Sequence, residues 1–329
     1  MGLKICAGIP LADWTLDHDV DGDGLSDGWA SGVGLSYSVQ GGMYGGTHAY
    51  PFGSGVTQRL VLAGGAVDTN PARVIAATSP SGYLNAGMNG STFMFHLFVT
   101  YSWEPGAGGL AWSVLAEIRN ASGGNVDWIG GGVITPTAGA YITTVVSSNI
   151  TIGSSENPDH VRITLGMPDR VAGASVLKIA AVGFGFTLSP SVGALPELST
   201  IHNHPVEHYQ RDFTSFDDVA HTGATRVTDP TGGRKKWYLK MPYRGMPVAD
   251  YTTVQQYYQA NRARPPIATA AAAPVTYLRG VAYPLIIQPG LNECPGFMYA
   301  NFTGKGFPLR QDHTWDARLY RGDLEFEEV

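Results

Sequence analysis

Charge is scarce in this 329-residue chain: 15% of its residues are Asp, Glu, Lys or Arg, against about 25% in an ordinary globular domain. The formal net charge is −6, so the basic footprint of a nucleic-acid binder is missing and no nucleic-acid partner is expected. Cysteine is nearly absent. Cys6 and Cys294 stand near opposite ends of the chain, too few for a disulfide framework, and they read as two free, inert thiols. No run approaches 18 uninterrupted apolar residues, so no membrane span is expected. Residues 1–10 lack a long apolar core, so no signal peptide is expected. Residue 6 is Cys where a myristoylation signal wants Ser or Thr. No P-loop, no G-x-G-x-x-G after a strand and no G-x-S-x-G elbow occurs, and no catalytic motif takes their place.

What the chain has is glycine, tyrosine and enough apolar surface for a core. Gly numbers 43, Tyr 16, and 43% of residues are hydrophobic. That mixture suits short strands joined by turns rather than a helical bundle. Residues 36–40, 59–62, 92–99, 112–118, 141–146, 160–165 and 177–184 are apolar or alternating runs, separated by clusters such as Glu104-Pro105-Gly106 and Ala121-Ser122-Gly123-Gly124-Asn125. Seven or more such strands indicate an antiparallel sandwich.

The charge changes along the chain. Residues 1–200 carry 7 basic and 14 acidic side chains; residues 201–329 carry 14 and 13. Pro190, Pro196 and Pro205 sit at the change and resist both helix and central strand. The sequence therefore predicts an all-β protein: a sandwich over 1–188, a linker over 189–206, and a smaller β-domain with one helix over 207–329. That helix is expected from Tyr251 to about Arg262, capped by Asp250, with Tyr251, Val254 and Tyr258 on one stripe. The final residues 323–329 alternate apolar and acidic, a half-exposed strand.

The clearest chemical pattern is Asp19-Val20-Asp21-Gly22-Asp23-Gly24-Leu25-Ser26-Asp27-Gly28-Trp29. Alternating aspartates on a tight loop aim several oxygens at one centre, as Ca²⁺ requires. Asp19, Asp21, Asp23 and Asp27 are the candidate carboxylate ligands, and Leu25 can add its carbonyl. Four carboxylates this close repel one another without a cation. Position twelve is Ala30, where an EF-hand has Glu, so an EF-hand is excluded. The ion is expected to be structural. The alternative is an acidic solvated turn.

This loop, with its Asp-Gly-Trp ending and the Gly/Tyr-rich strands after it, resembles the opening of carbohydrate-binding-module jelly rolls over about residues 10–188. The resemblance implies a two-sheet jelly roll with structural Ca²⁺ and a glycan-binding face. Tyr37, Tyr44, Trp103, Trp112 and Trp128 are the candidate stacking aromatics; the alternative is that they are core. Glu104 and Glu117 are the one carboxylate pair that suggests a glycosidase, but Glu104 sits in a Glu-Pro-Gly turn, and no enzyme is expected.

Residues 207–329, with Gly232-Gly233-Arg234-Lys235-Lys236-Trp237-Tyr238-Leu239-Lys240 and the closing Leu319-Tyr320-Arg321-Gly322-Asp323-Leu324-Glu325-Phe326-Glu327-Glu328-Val329, resemble tail-tube and distal-tail-type domains of bacteriophages. The resemblance implies a structural protein of a virion, made in the host cytoplasm, with other tail proteins and further copies of itself as partners and a host-surface glycan as a ligand. A capsid decoration protein and a free glycan-binding or polysaccharide-degrading protein are the alternatives. His202 and His204 share a strand face and, repeated about an oligomer axis, could hold a second metal; otherwise they are polar linker residues.

Overall fold

The computed structural model describes residues 2–16, 23, 25–31, 36–40, 59–64, 74–104, 112–134, 142–166, 175–188, 195–198, 207–211, 216–219, 225–228, 236–262, 281–289, 296–303, 306–312 and 319–329. Among these are nineteen strands and one α-helix, so the protein is all-β as the sequence predicts. The strands are β1 (Lys4–Ile9), β2 (Trp29–Ser31), β3 (Ser36–Gln40), β4 (Arg59–Gly64), β5 (Val74–Thr78), β6 (Thr92–Glu104), β7 (Trp112–Asn120), β8 (Asn125–Ile134), β9 (Ile142–Thr151), β10 (Pro158–Gly166) and β11 (Ser175–Phe186). They continue as β12 (Glu207–Arg211), β13 (Phe216–Val219), β14 (Thr225–Thr228), β15 (Lys236–Met246), helix α1 (Val248–Asn261), β16 (Leu285–Gln288), β17 (Met298–Phe302), β18 (Leu309–Asp312) and β19 (Leu319–Glu328). Among the described residues no helix is long and apolar enough to cross a membrane.

The compact units are not consecutive in sequence. The first comprises Met1–Leu198 with Gln256–Tyr299, and the second Ser199–Gln255 with Ala300–Val329. The domain expected over 207–329 therefore gives residues 256–299 to the first unit. The cause is strand pairing: β16 lies antiparallel along β1, with Ile5 opposite Ile287. Part of the expected linker is also built in. Ile5 donates its N–H to the Pro196 carbonyl at 3.1 Å, Leu198 donates to the Leu3 carbonyl at 2.8 Å, and Lys4 bridges Glu197.

The first unit is a jelly-roll-type sandwich of two antiparallel sheets. In one sheet β11 is central. Along one edge it pairs with β6, which in turn pairs with β9. Its other edge is shared by β1 at Phe184–Phe186 and β4 at Ser175–Ile179, and β3 follows β4. The other sheet runs β2-β5-β10-β7-β8. Alternation decides its faces: Ile75, Ala77, Val114, Ala116, Ile118, Ile129, Val161, Ile163 and Leu165 are buried, while the residues between them face outward. Residues 95–101 of β6 and 179–186 of β11 are buried on both faces, as near-continuous apolar strand segments should be.

Aromatic rings fill this unit. Phe93, Phe95, Phe184 and Phe186 pack with centroids 5.6 to 6.4 Å apart. Tyr299 is the polar pin among them. Its hydroxyl donates to the Ile9 carbonyl at 2.8 Å and accepts the Phe184 N–H at 2.8 Å, and burial pushes its ionisation far above the usual tyrosine range. Cys6 is free and buried, and burial likewise raises its thiol; Cys294 lies outside the described residues. His96 is fully buried between the Ser147 hydroxyl at 2.8 Å and the Thr187 hydroxyl at 3.0 Å.

In the second unit β19 is the central strand. β19 carries β15 along one edge, and β12 follows β15. The other edge of β19 is shared by β18 and by Ala300–Phe302 of β17. Leu239, Met241, Leu324 and Phe326 are fully buried, while the intervening acidic residues of β19 face outward, as the alternating sequence predicts. Glu328 is the exception: it is buried and accepts the Trp237 N–H at 2.9 Å. β13 and β14 form a separate hairpin.

Helix α1 begins three residues earlier than expected, at Val248. Tyr251 donates its N–H to the Pro247 carbonyl at 3.0 Å, so the helix starts after Pro247 and Asp250 lies in its first turn, where the macrodipole favours an acid. Val254, Tyr257 and Tyr258 are buried.

Candidate functional site

The outward face of the β2-β5-β10-β7-β8 sheet carries one row of side chains in register. Trp128 on β8 stands opposite Glu117 on β7, Glu117 opposite Arg162 on β10, and Arg162 opposite Thr78 on β5. Residues directly opposite in an antiparallel pair share a face, and strand spacing makes the row roughly 14 Å long. Trp128 is 52% exposed, the most exposed large apolar side chain among the described residues. With about half of its surface in water, the indole is not a core side chain.

Charges around Trp128 are fixed. Both oxygens of Glu117 accept from Nη2 of Arg119 at 3.1 Å, and Arg162 approaches the same carboxylate at 3.7 Å. This charge-assisted contact, one nitrogen shared between two oxygens, ties Arg119 to Glu117. Arg119 also stands opposite His160 on β10, whose ring meets Asp159 at 2.9 Å. Burial works against ionising Asp159, but hydrogen bonds from His160 and Ser81, the His160 charge and the Gly82 N–H outweigh it and hold the carboxyl below its usual range. An exposed ring for stacking, flanked by guanidinium donors and a carboxylate acceptor, is suited to a flat, hydroxyl-rich ligand.

The five aromatic candidates do not share a sheet. Tyr37 lies on β3 and Trp103 on β6 of one sheet; Trp112 on β7 and Trp128 on β8 belong to the other. The side chains of Tyr37, Trp103 and Trp112, and the whole of Tyr44, lie outside the described residues. Sequence reasoning missed Arg119 and Arg162, which reach the site only through cross-strand pairing. Glu117 was singled out as half of a carboxylate pair, but Glu104 ends β6 on the other sheet.

The aspartate loop is described in part. Asp19, Asp21, His202 and His204 lie outside the described residues. Asp23 is exposed and accepts the Leu25 N–H at 2.7 Å. Leu25 and Trp29 are buried. Gly28 has φ of +81°, and a Cβ there would lie 2.4 Å from that of Ala12, so the Asp27-Gly28-Trp29 step needs its glycine. An unforeseen residue organises the loop. Asp13 accepts the Ser26 and Thr15 hydroxyls on its carboxylate and the Trp29 indole N–H on its carbonyl. The donors here are all oxygen, which suits a hard cation. Among the described residues no three His, Cys, Asp or Glu side chains converge on a metal position.

No family model matches the chain, and no curated protein does. Solved structures share partial likeness. The CBM22-1 xylan-binding domain from Paenibacillus barcinonensis Xyn10C aligns over 55% of this chain and 97% of its own at 12% identity, with a TM-score of 0.31. The enzymatically active domain of bacteriophage CBA120 tailspike protein 4 aligns over 53% of this chain at 11% identity and a TM-score of 0.31, and the alignment covers 23% of that protein. A Stig cyclase from Fischerella sp. TAU aligns over 57% of this chain and 100% of its own at 13% identity, with a TM-score of 0.38.

Proposed function

We propose that the sandwich unit binds saccharide on the outer face of its β2-β5-β10-β7-β8 sheet. The observation that carries this reading is Trp128, half exposed and opposite Glu117, whose carboxylate meets Arg119 and Arg162. Its ring would stack on the CH face of a sugar, and the guanidinium and carboxylate groups would bind hydroxyls along the row toward Thr78. A glycan array probed with the full chain tests it: saturable binding to a defined subset of glycans is expected, and a blank array rejects the face as a saccharide site.

The reading extends to a virion. On it the chain is a tail-associated structural protein that displays the sandwich, with other tail proteins and copies of itself as partners; the resemblance of residues 207–329 to tail-tube and distal-tail-type domains supports this. Ca²⁺ would be held by Asp19, Asp21, Asp23, Asp27 and the Leu25 carbonyl, bracing the loop that leads into β2. Co-sedimentation with purified particles tests the placement, and a chain recovered only in the unassembled fraction contradicts it.

A further inference from the structure

The second compact unit carries three arginines side by side. Arg244 on β15 lies opposite Arg321 on β19, and Arg321 lies opposite Arg310 on β18. All three are exposed. They line one cleft of about 450 Å³ together with Pro308, Gly322 and Asp323. Like charges directly opposite on adjacent strands disfavour a sheet, and here they stand in register on three strands.

The backbone is shaped to make the row. Gly322 has φ of +154°, and a Cβ there would lie 2.2 Å from the Pro308 carbonyl oxygen; glycine alone lets β18 approach β19 at this point. Gly245, with φ of +140°, accompanies the register shift after Arg244. Negative charge at the cleft is limited to Asp323 among its lining residues. Asp323 accepts from Arg244 at 3.2 Å and meets Lys240 at 3.3 Å. Glu325, next on the same face, is engaged by the Tyr238 hydroxyl at 2.6 Å and the Thr303 hydroxyl at 3.2 Å. Three guanidinium groups thus line the cleft, with Asp323 the one carboxylate among its described lining residues.

We propose that this cleft binds a hydroxyl-bearing oxyanion of monosaccharide size, a uronic acid or a sugar phosphate. The planar forks of Arg244, Arg310 and Arg321 match carboxylate and phosphate oxygens. Asp323 supplies an acceptor for a neighbouring hydroxyl. The volume lies in the range of small-molecule sites. This site is built from other residues in the other compact unit, so it stands independently of the saccharide reading at Trp128.

The test is calorimetric titration of the full chain with glucuronate, glucose 6-phosphate, inorganic phosphate and glucose at low salt. Saturable binding of at least one anionic sugar is expected, with inorganic phosphate weaker and glucose silent. Tighter glucuronate assigns the carboxylate as the anionic group, and tighter glucose 6-phosphate assigns the phosphate. Arg310→Gln and Arg321→Gln should each weaken the anionic sugar about tenfold or more. Asp323→Asn should weaken the sugar more than inorganic phosphate. Silence from both anionic sugars, equal binding of glucose, unchanged affinity in both arginine variants, or preferential binding of an oligonucleotide overturns the proposal.

Discussion

Glu117 stands directly across the strand pair from Trp128, and its carboxylate is clasped by Arg119 at 3.1 Å on the same strand. The pair joins an apolar ring that is left in water to an acceptor whose position is fixed. Neither residue serves the core, whose apolar side chains on β7 are Val114, Ala116 and Ile118.

Removing the ring should therefore leave the fold intact. Trp128→Ala is expected to change unfolding free energy by no more than about 0.5 kcal/mol in urea melts, as surface substitutions do. Trp29→Ala, by contrast, deletes a buried indole and is expected to cost about 3–5 kcal/mol. Equal destabilisation by the two variants would show that Trp128 is structural.

Tyr299→Phe isolates the buried hydroxyl. It leaves the Phe184 N–H and the Ile9 carbonyl without that partner. The expected loss is about 1–3 kcal/mol, because orphaned buried groups cost more than a lost hydrogen bond is worth. A melt unchanged by the substitution would show that neither group depends on it.

His96 gives a pH signature. Burial lowers its pKa from 6.5 to about 4. As pH falls through 6.5 the unfolded chain binds a proton that the folded chain refuses, so stability falls between about pH 6.5 and pH 4 and is complete above that window. The loss from this group approaches about 3 kcal/mol at the lower end. His96→Gln keeps a polar side chain between Ser147 and Thr187 and should flatten that part of the slope. Parallel pH profiles for the two proteins would remove His96 from the account.

Chelation tests the loop. If Ca²⁺ is bound there, EDTA should lower the melting temperature by several degrees and added Ca²⁺ should restore it, following the stabilisation of a state that alone binds the ion. Mg²⁺ should restore less, since it keeps its waters and a stricter octahedral geometry. Identical melts with and without chelator would discard the calcium assignment.

Much of the strand content was legible because alternation survives in single runs: Val161, Ile163 and Leu165 announce β10 without help. β8 was not, because Gly130, Gly131 and Gly132 break its pattern; Gly130, at φ of +106°, leaves room for the Val114 carbonyl, which a Cβ would meet at 2.3 Å. The unit boundary was misplaced because β1 and β16 are some 280 residues apart, and no local pattern encodes that pairing. The candidate face was half legible. Trp128 could be named as an aromatic near turns, but Glu117 comes to stand opposite it, and Arg162 opposite Glu117, only through register. The arginine row was hidden for the same reason: Arg244, Arg310 and Arg321 are neighbours across strands, not along the chain.

The most direct measurement is affinity electrophoresis of the wild-type chain and Trp128→Ala through gels containing any polysaccharide that retards the wild type. The ring-stacking account expects the wild type to be slowed and the variant, equally folded, to run as it does in an empty gel. Equal retardation of both proteins would contradict it.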